Sequence, residues 1–140
     1  MTDLFSILDN ALARGTRLRP KVGGFPHLAE SLRQAGVRSY RFDVPSASII
    51  YLTDGGAALR PGAPLFGDWT EIAEFDEMAL IDAIRADQRG ETAFPDFVKA
   101  TFDAGIISYL VDTQARTCTY FGPRGDQYVE EYPVVDLPDT

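Results

Sequence analysis

The chain has 140 residues, 45% of them apolar and 11% aromatic, with a net charge of −8. That is enough apolar material for a core without disulfides or metals, and too much for a disordered segment. With one cysteine, Cys118, an internal disulfide framework is excluded, which suits a reducing cytosol, and no run approaches the length of a membrane span.

The charge is uneven. Residues 1–41 hold seven Lys/Arg against three Asp/Glu, net +4, and the remainder is net −12. An acidic body repels phosphate, so nucleic-acid binding is disfavoured. The basic strip around Arg14, Arg17, Arg19 and Lys21 then reads as attraction between the two halves of the chain, or as a contact for an acidic partner.

The N-terminus starts a helix rather than a signal peptide. Thr2 is the expected cap, Leu4, Leu8, Ala11 and Leu12 share a face, and Gly15 is the expected stop over 2–14. Residues 15–24 read as a loop. Pro26 suits a first helical position, Leu28, Ala29, Leu32 and Ala35 follow at helical spacing, and Gly36 ends the helix. From Val37 to Val44 the pattern alternates, with Tyr40, Phe42 and Val44 on one side, and Ser48–Leu52 returns as a second strand after Pro45-Ser46. Residues 53–68, rich in Gly and Pro, read as a break.

A capping box at Asp68-Trp69-Thr70-Glu71 predicts a helix from there to Asp87. A second helix begins at Pro95 and stops at Gly105. Strands follow at Ile106–Asp112, Thr117–Phe121 and Tyr128–Tyr132. The tail after Pro133 is acidic and expected to fray.

The second half echoes the first. Shifted by 69 residues, Phe25-Pro26, Ala35-Gly36, Ser39-Tyr40, Asp43, Tyr51 and Gly56 fall on Phe94-Pro95, Ala104-Gly105, Ser108-Tyr109, Asp112, Tyr120 and Gly125. Nine of 32 ungapped positions are identical, where ordinary residue usage gives about two. The expected fold is α+β: an internally duplicated ααββ unit, about 2–66 and 68–134, forming one domain over 1–140. An antiparallel sheet carries helices packed on it about a pseudo-twofold axis. The first unit is expected to have a loop where the second has its third strand.

The Phe-Pro and Ala-Gly pieces, the run Thr117-Cys118-Thr119-Tyr120-Phe121-Gly122, then Gly125-Asp126 and Tyr128–Pro133, resemble a bacterial family of unknown function. Its YdfO-like prophage members are often labelled "phage envelope protein". The resemblance runs from about residue 3 to 134. It implies a small α+β domain and no established reaction, cofactor or catalytic residues.

No catalytic set stands out. His27 is the single histidine, which removes two-histidine metal sites, and it reads as a surface or packing residue. Cys118, between threonines mid-strand, reads as a small buried or half-buried strand residue, since a reactive thiolate needs a base and an electropositive setting. Glu71, Glu74, Asp76, Glu77, Asp82 and Asp87 read as one solvated acidic helix face, matching no metal-ligand loop.

Tyr40, Tyr51, Tyr109 and Tyr120 are the candidate ligand-binding residues, with Asp43 and Asp112 as carboxylates at the mouth of an aromatic pocket near the axis. Such a pocket suits a small polar or cationic ligand. Arg17, Arg19 and Trp69 are candidate interface residues. The first functional reading is a non-enzymatic binding or regulatory protein of the bacterial cytosol, of prophage origin. Partners are then a protein or small molecule, not nucleic acid or membrane, with no metal or cofactor, in a monomer or homodimer. The second is a small-molecule binder or weak enzyme using the tyrosine pocket. The third is a structural virion component.

Overall fold

A computed structural model describes residues 3–138. In chain order the elements are α1 (Leu4–Leu18), α2 (Phe25–Gln34), β1 (Val37–Asp43), β2 (Ser48–Thr53), β3 (Gly56–Arg60), α3 (Glu77–Gln88), α4 (Phe94–Asp103), β4 (Ser108–Asp112), β5 (Thr117–Phe121) and β6 (Gln127–Glu131). The six strands form one antiparallel sheet in the order β3-β2-β1-β4-β5-β6. The α+β class is as expected from the pattern.

The sequence places the helix starts and stops by local chemistry, with two exceptions. Asp3 caps α1 by accepting from the Ser6 amide at 2.7 Å. The expected cap, Thr2, lies outside the described residues. Gly15 does not end α1; the helix runs on to Leu18, with the Arg19 amide donating to the Gly15 carbonyl. The glycine serves packing instead. A Cβ there would lie 2.7 Å from Leu28 Cδ1 and 3.0 Å from Leu28 Cα, so its absence lets α2 approach. The buried Ser31 hydroxyl donates to the Ala11 carbonyl across the same contact, at 2.7 Å.

The second exception is the helix expected from Asp68. Residues 69–76 form no helix or strand, and α3 starts at Glu77 with Asp76 as its cap, accepting from the Ala79 amide at 3.0 Å. Asp68 accepts only from the neighbouring Trp69 amide. A tertiary demand overrides the local signal here. The chain leaves β3 and forms a strap past the end of the sheet: the Leu65 amide donates to the Pro45 carbonyl, Phe66 packs on Phe102 at 4.8 Å, and the Asp76 amide donates to the Ala104 carbonyl. Glu71, Glu74 and Asp76 therefore precede the helix, and only Glu77, Asp82 and Asp87 of the predicted acidic face lie within it.

The expected loss of a third strand from the first half is also corrected. β3 pairs with β2 through Tyr51↔Ala58 and Thr53↔Gly56, within the segment that reads as a break. A tight turn at Asp54-Gly55 makes this hairpin, and Pro61 ends it. The acidic tail, expected to fray, is tied to α1 at Pro138, whose carbonyl accepts from Arg14 at 2.7 Å; Arg14 also donates to the Gln34 amide oxygen at 2.6 Å.

Both halves thus have the same element order, helix, helix and three strands. Their first hairpins share one register: Tyr40 faces Tyr51, and Tyr109 faces Tyr120, 69 residues on. The halves meet at β1 and β4, where Arg41 faces Leu110. The ladder continues beyond the strands through the Val44 amide to Ile107 and the Thr113 amide to Arg38.

The alternation assigns the faces. Tyr40, Phe42, Tyr51, Tyr109, Val111, Cys118 and Tyr120 are buried against the helices. Ile50, Leu52, Leu59 and Val129 are exposed on the other side. There Arg41 stacks over the Phe121 ring at 5.7 Å and reaches the Ser108 hydroxyl. Burying the inner set supplies the main stabilisation, about 2 kcal/mol for each large apolar side chain.

Candidate functional site

The inner face of the sheet is not filled to closure. A cavity of about 1080 Å³ lies between the sheet and the helices. Domain interiors are normally packed as densely as organic crystals, so a void of this size at the centre requires an account. Its floor carries all four repeat-related tyrosines, together with Ile49 and Cys118. The strand register places them there: Tyr40 and Tyr51 are one cross-strand pair, 5.5 Å between ring centroids, and Tyr109 and Tyr120 the other, at 5.4 Å. Phe42 stacks on Tyr109 at 5.0 Å. The walls come from α1 through Leu12 and Thr16, α2 through Leu28, α3 through Ile84 and α4 through Phe97.

Burial governs the chemistry of this floor. Desolvation raises the Tyr40, Tyr109 and Tyr120 hydroxyls well above the ordinary phenol value, so they remain neutral donors. Tyr51 is raised less, because burial is opposed by the neighbouring Arg60 guanidinium. Burial pushes the Cys118 thiol up to about 12, against a smaller opposing contact from Tyr120. It is therefore a thiol at neutral pH and a poor nucleophile, as the strand position suggests. Among the described residues, no protein group hydrogen-bonds the hydroxyls of Tyr40 and Tyr109, and neither is sealed in the packing; they open onto the cavity. His27 Nδ1 is sealed and unpartnered, and His27 does not line the cavity.

Charged groups ring the opening. Arg17 and Arg19, candidates from the sequence for an interface, stand on the rim with Lys21 and Arg60. On the acidic side, burial raises the Asp87 carboxyl against the pull of Arg19 and a bond from Thr92. Glu130 is partly desolvated, yet bonds from Arg85 and Tyr128 hold its carboxyl below the usual range.

Two predicted pocket residues are elsewhere. Asp43 and Asp112 follow the tyrosines by odd offsets, so the alternation turns them to the opposite side of the sheet. Each is a turn-former: Asp43 accepts from the Ser46 amide at 3.1 Å, and Asp112 from the Gln114 and Ala115 amides at 2.9 and 3.0 Å. Trp69 lies on the strap, 99% exposed, beside a smaller cleft of about 430 Å³ with Phe66 and Ile72. Sequence reasoning missed Arg60 and Glu130. Arg60 lies in a segment whose glycines and prolines signal a loop, and Glu130 is an alternating strand position that no local signal singles out.

No described helix is long and apolar enough to cross a membrane. Among the described residues, no group of three or more His, Cys, Asp or Glu is gathered as a metal site.

Comparison with known proteins places the chain among proteins of the same kind. Uncharacterized protein Rv2012 of Mycobacterium tuberculosis (strain H37Rv) is 48% identical over 118 residues, which cover 84% of this chain and 72% of the relative. Uncharacterized protein Mb2035 of Mycobacterium bovis matches with the same identity and coverage. Neither name carries a phage designation. A family model described as a protein of unknown function, DUF1398, matches residues 19–131, and the chain belongs to that family.

Proposed function

We propose that this protein is a non-catalytic binder of a small molecule, held in the cavity between the sheet and the helices. The observation that carries the reading is the cavity itself. It is central, lined by aromatics, and furnished with neutral tyrosine donors that find no partner among the described residues. Ligand sites have this makeup: a mostly apolar concavity with a few convergent polar groups. Binding is favoured over catalysis because the thiol in the cavity is held protonated and the histidine lies outside it.

The repeat is part of this reading. Two duplicated halves would each bring one tyrosine pair to a shared site, and the common hairpin register supports that origin.

A thermal-shift screen against aromatic and acyl metabolites, nucleotides and amphipathic acids tests it. A ligand at 100 times its Kd stabilises the fold by about 2.7 kcal/mol. Its shift should shrink in Tyr40→Phe and Tyr109→Phe, which keep the ring and delete the hydroxyl. A flat panel, or hits indifferent to both substitutions, would count against the cavity as a binding site and turn attention to a macromolecular partner.

A further inference from the structure

The two ends of the cavity floor are related by register but opposite in charge. Arg60 of β3 faces Ile49, and Glu130 of β6 faces Cys118, the residue 69 positions after Ile49. The ends differ in a second way. Glu130 is already satisfied, by the Arg85 guanidinium and by the Tyr128 hydroxyl at 2.8 Å. Asp87 is faced by Arg19 and bonded by Thr92. Among the described residues Arg60 forms no ion pair; its cavity neighbour is the neutral Tyr51 hydroxyl. Arg17 and Lys21 on the rim are likewise free of ion pairs. The remaining rim carboxylates, Asp9 and Glu131, are solvent-exposed.

Apart from the solvent-exposed Asp9 and Glu131, the charges left unpaired around the cavity are therefore of one sign. Tyr40 and Tyr109 are each only 6% exposed and their hydroxyls have no partner among the described residues, so they can donate to an acceptor. Arg60 offers a charged fork, which matches planar oxyanions. A cation would meet no unsatisfied buried carboxylate.

We propose that the cavity is built for an organic anion: a molecule with a flat apolar body on the tyrosine floor and an acidic group held at the β3 end by Arg60 and Tyr51. This rests on the binding reading above and names its ligand class. The shared chemistry is an oxyanion on an apolar body, whether carboxylate, sulfonate or phosphate.

Two dyes separate the claims. 1-Anilinonaphthalene-8-sulfonate and N-phenyl-1-naphthylamine share one aromatic body and differ in the anion. Fluorescence titration of the folded chain at neutral pH should give the sulfonate about tenfold tighter binding, the worth of one charge-assisted contact. Arg60→Ala should remove that preference and leave the neutral dye unchanged. Arg60 is exposed, so an unaltered melting curve verifies that this variant folds. Arg60→Lys should restore part of the preference.

Equal affinity for the two dyes, or a preference that survives Arg60→Ala, would overturn the anion assignment while leaving the cavity as a binding site. Failure of both dyes to bind would overturn the binding reading with it. Leu59→Ser alters the opposite face of the sheet. A sulfonate signal lost in that variant and kept in Arg60→Ala would place the dye outside the cavity and refute the proposal.

Discussion

Gly36 and Gly105 occupy corresponding helix ends and form a matched pair for measuring what the strap demands. Both have positive φ, +98° and +85°, and both donate to a carbonyl three residues back, of Arg33 and Phe102. An alanine at either position carries the left-handed penalty, about 1–2 kcal/mol. Their surroundings differ. A Cβ on Gly36 would meet only Asp54 Oδ2, at 3.7 Å. One on Gly105 would lie 2.5 Å from the Glu74 carbonyl oxygen and 2.8 Å from that of Ala73, the backbone of the strap. Backbone so close must shift, and the bond from the Asp76 amide to Ala104 would shift with it. Overpacking of this kind adds about 1–3 kcal/mol.

Gly36→Ala is therefore expected to lose about 1–2 kcal/mol and Gly105→Ala about 2–5. Urea denaturation of both variants measures the difference directly, and for a chain of this size each kcal/mol moves Tm by about 4 °C. If Gly105→Ala is no more destabilised than Gly36→Ala, the strap is not packed against that corner and the reasoning fails.

Two further predictions concern base stability and the start of α3. The Cys118 thiol is raised in the folded state from 9.0 to about 12, so its contribution to stability is complete below pH 9 and is lost between pH 9 and about 12. Urea unfolding at pH 8 to 11 should show stability falling, with the buried tyrosines adding to the loss above pH 10. Cys118→Ala should remove about 1.4 kcal/mol per pH unit of that slope, and a parallel decline in the variant would contradict the assignment. Asp76→Ala should cost about 1 kcal/mol through loss of the cap, whereas Asp68→Ala should stay within about 0.5 kcal/mol. A reversed order in chemical denaturation would return the helix start to Asp68.

The fold was most legible where local chemistry and tertiary demand agree. Pro26 and Gly36, with their counterparts Pro95 and Gly105, mark α2 and α4 because a missing amide costs nothing at one end and a positive φ is needed at the other. Tyr40, Phe42 and Val44 were readable as the inner side of β1 because a strand alternates regardless of its neighbours. The failures have a common cause. Gly15 and Asp68 carry strong local signals, yet close approach of Leu28 decides one and the path of the strap decides the other.

The tyrosines of the site could be found because the repeat and the strand period point to the same four residues. Asp43 and Asp112 were selected by the repeat alone. The period that brings the tyrosines inward turns these two outward, and their side chains serve the turns that set the register. Arg60 needed β3 itself, a strand of two alanines, a glycine, a leucine and an arginine that little in its composition separates from loop.

The seam between β1 and β4 has a consequence for how the chain is made. Its partners, from Ser39↔Asp112 to Asp43↔Ser108, are about 70 residues apart, so the central ladder cannot close until the second half has emerged from the ribosome. Until then β1 is an open edge with Tyr40 and Phe42 uncovered, able to pair with any extended segment in reach. Late closure of so distant a contact also slows folding, and holds the nascent chain in its most aggregation-prone form for the whole synthesis of the connecting half.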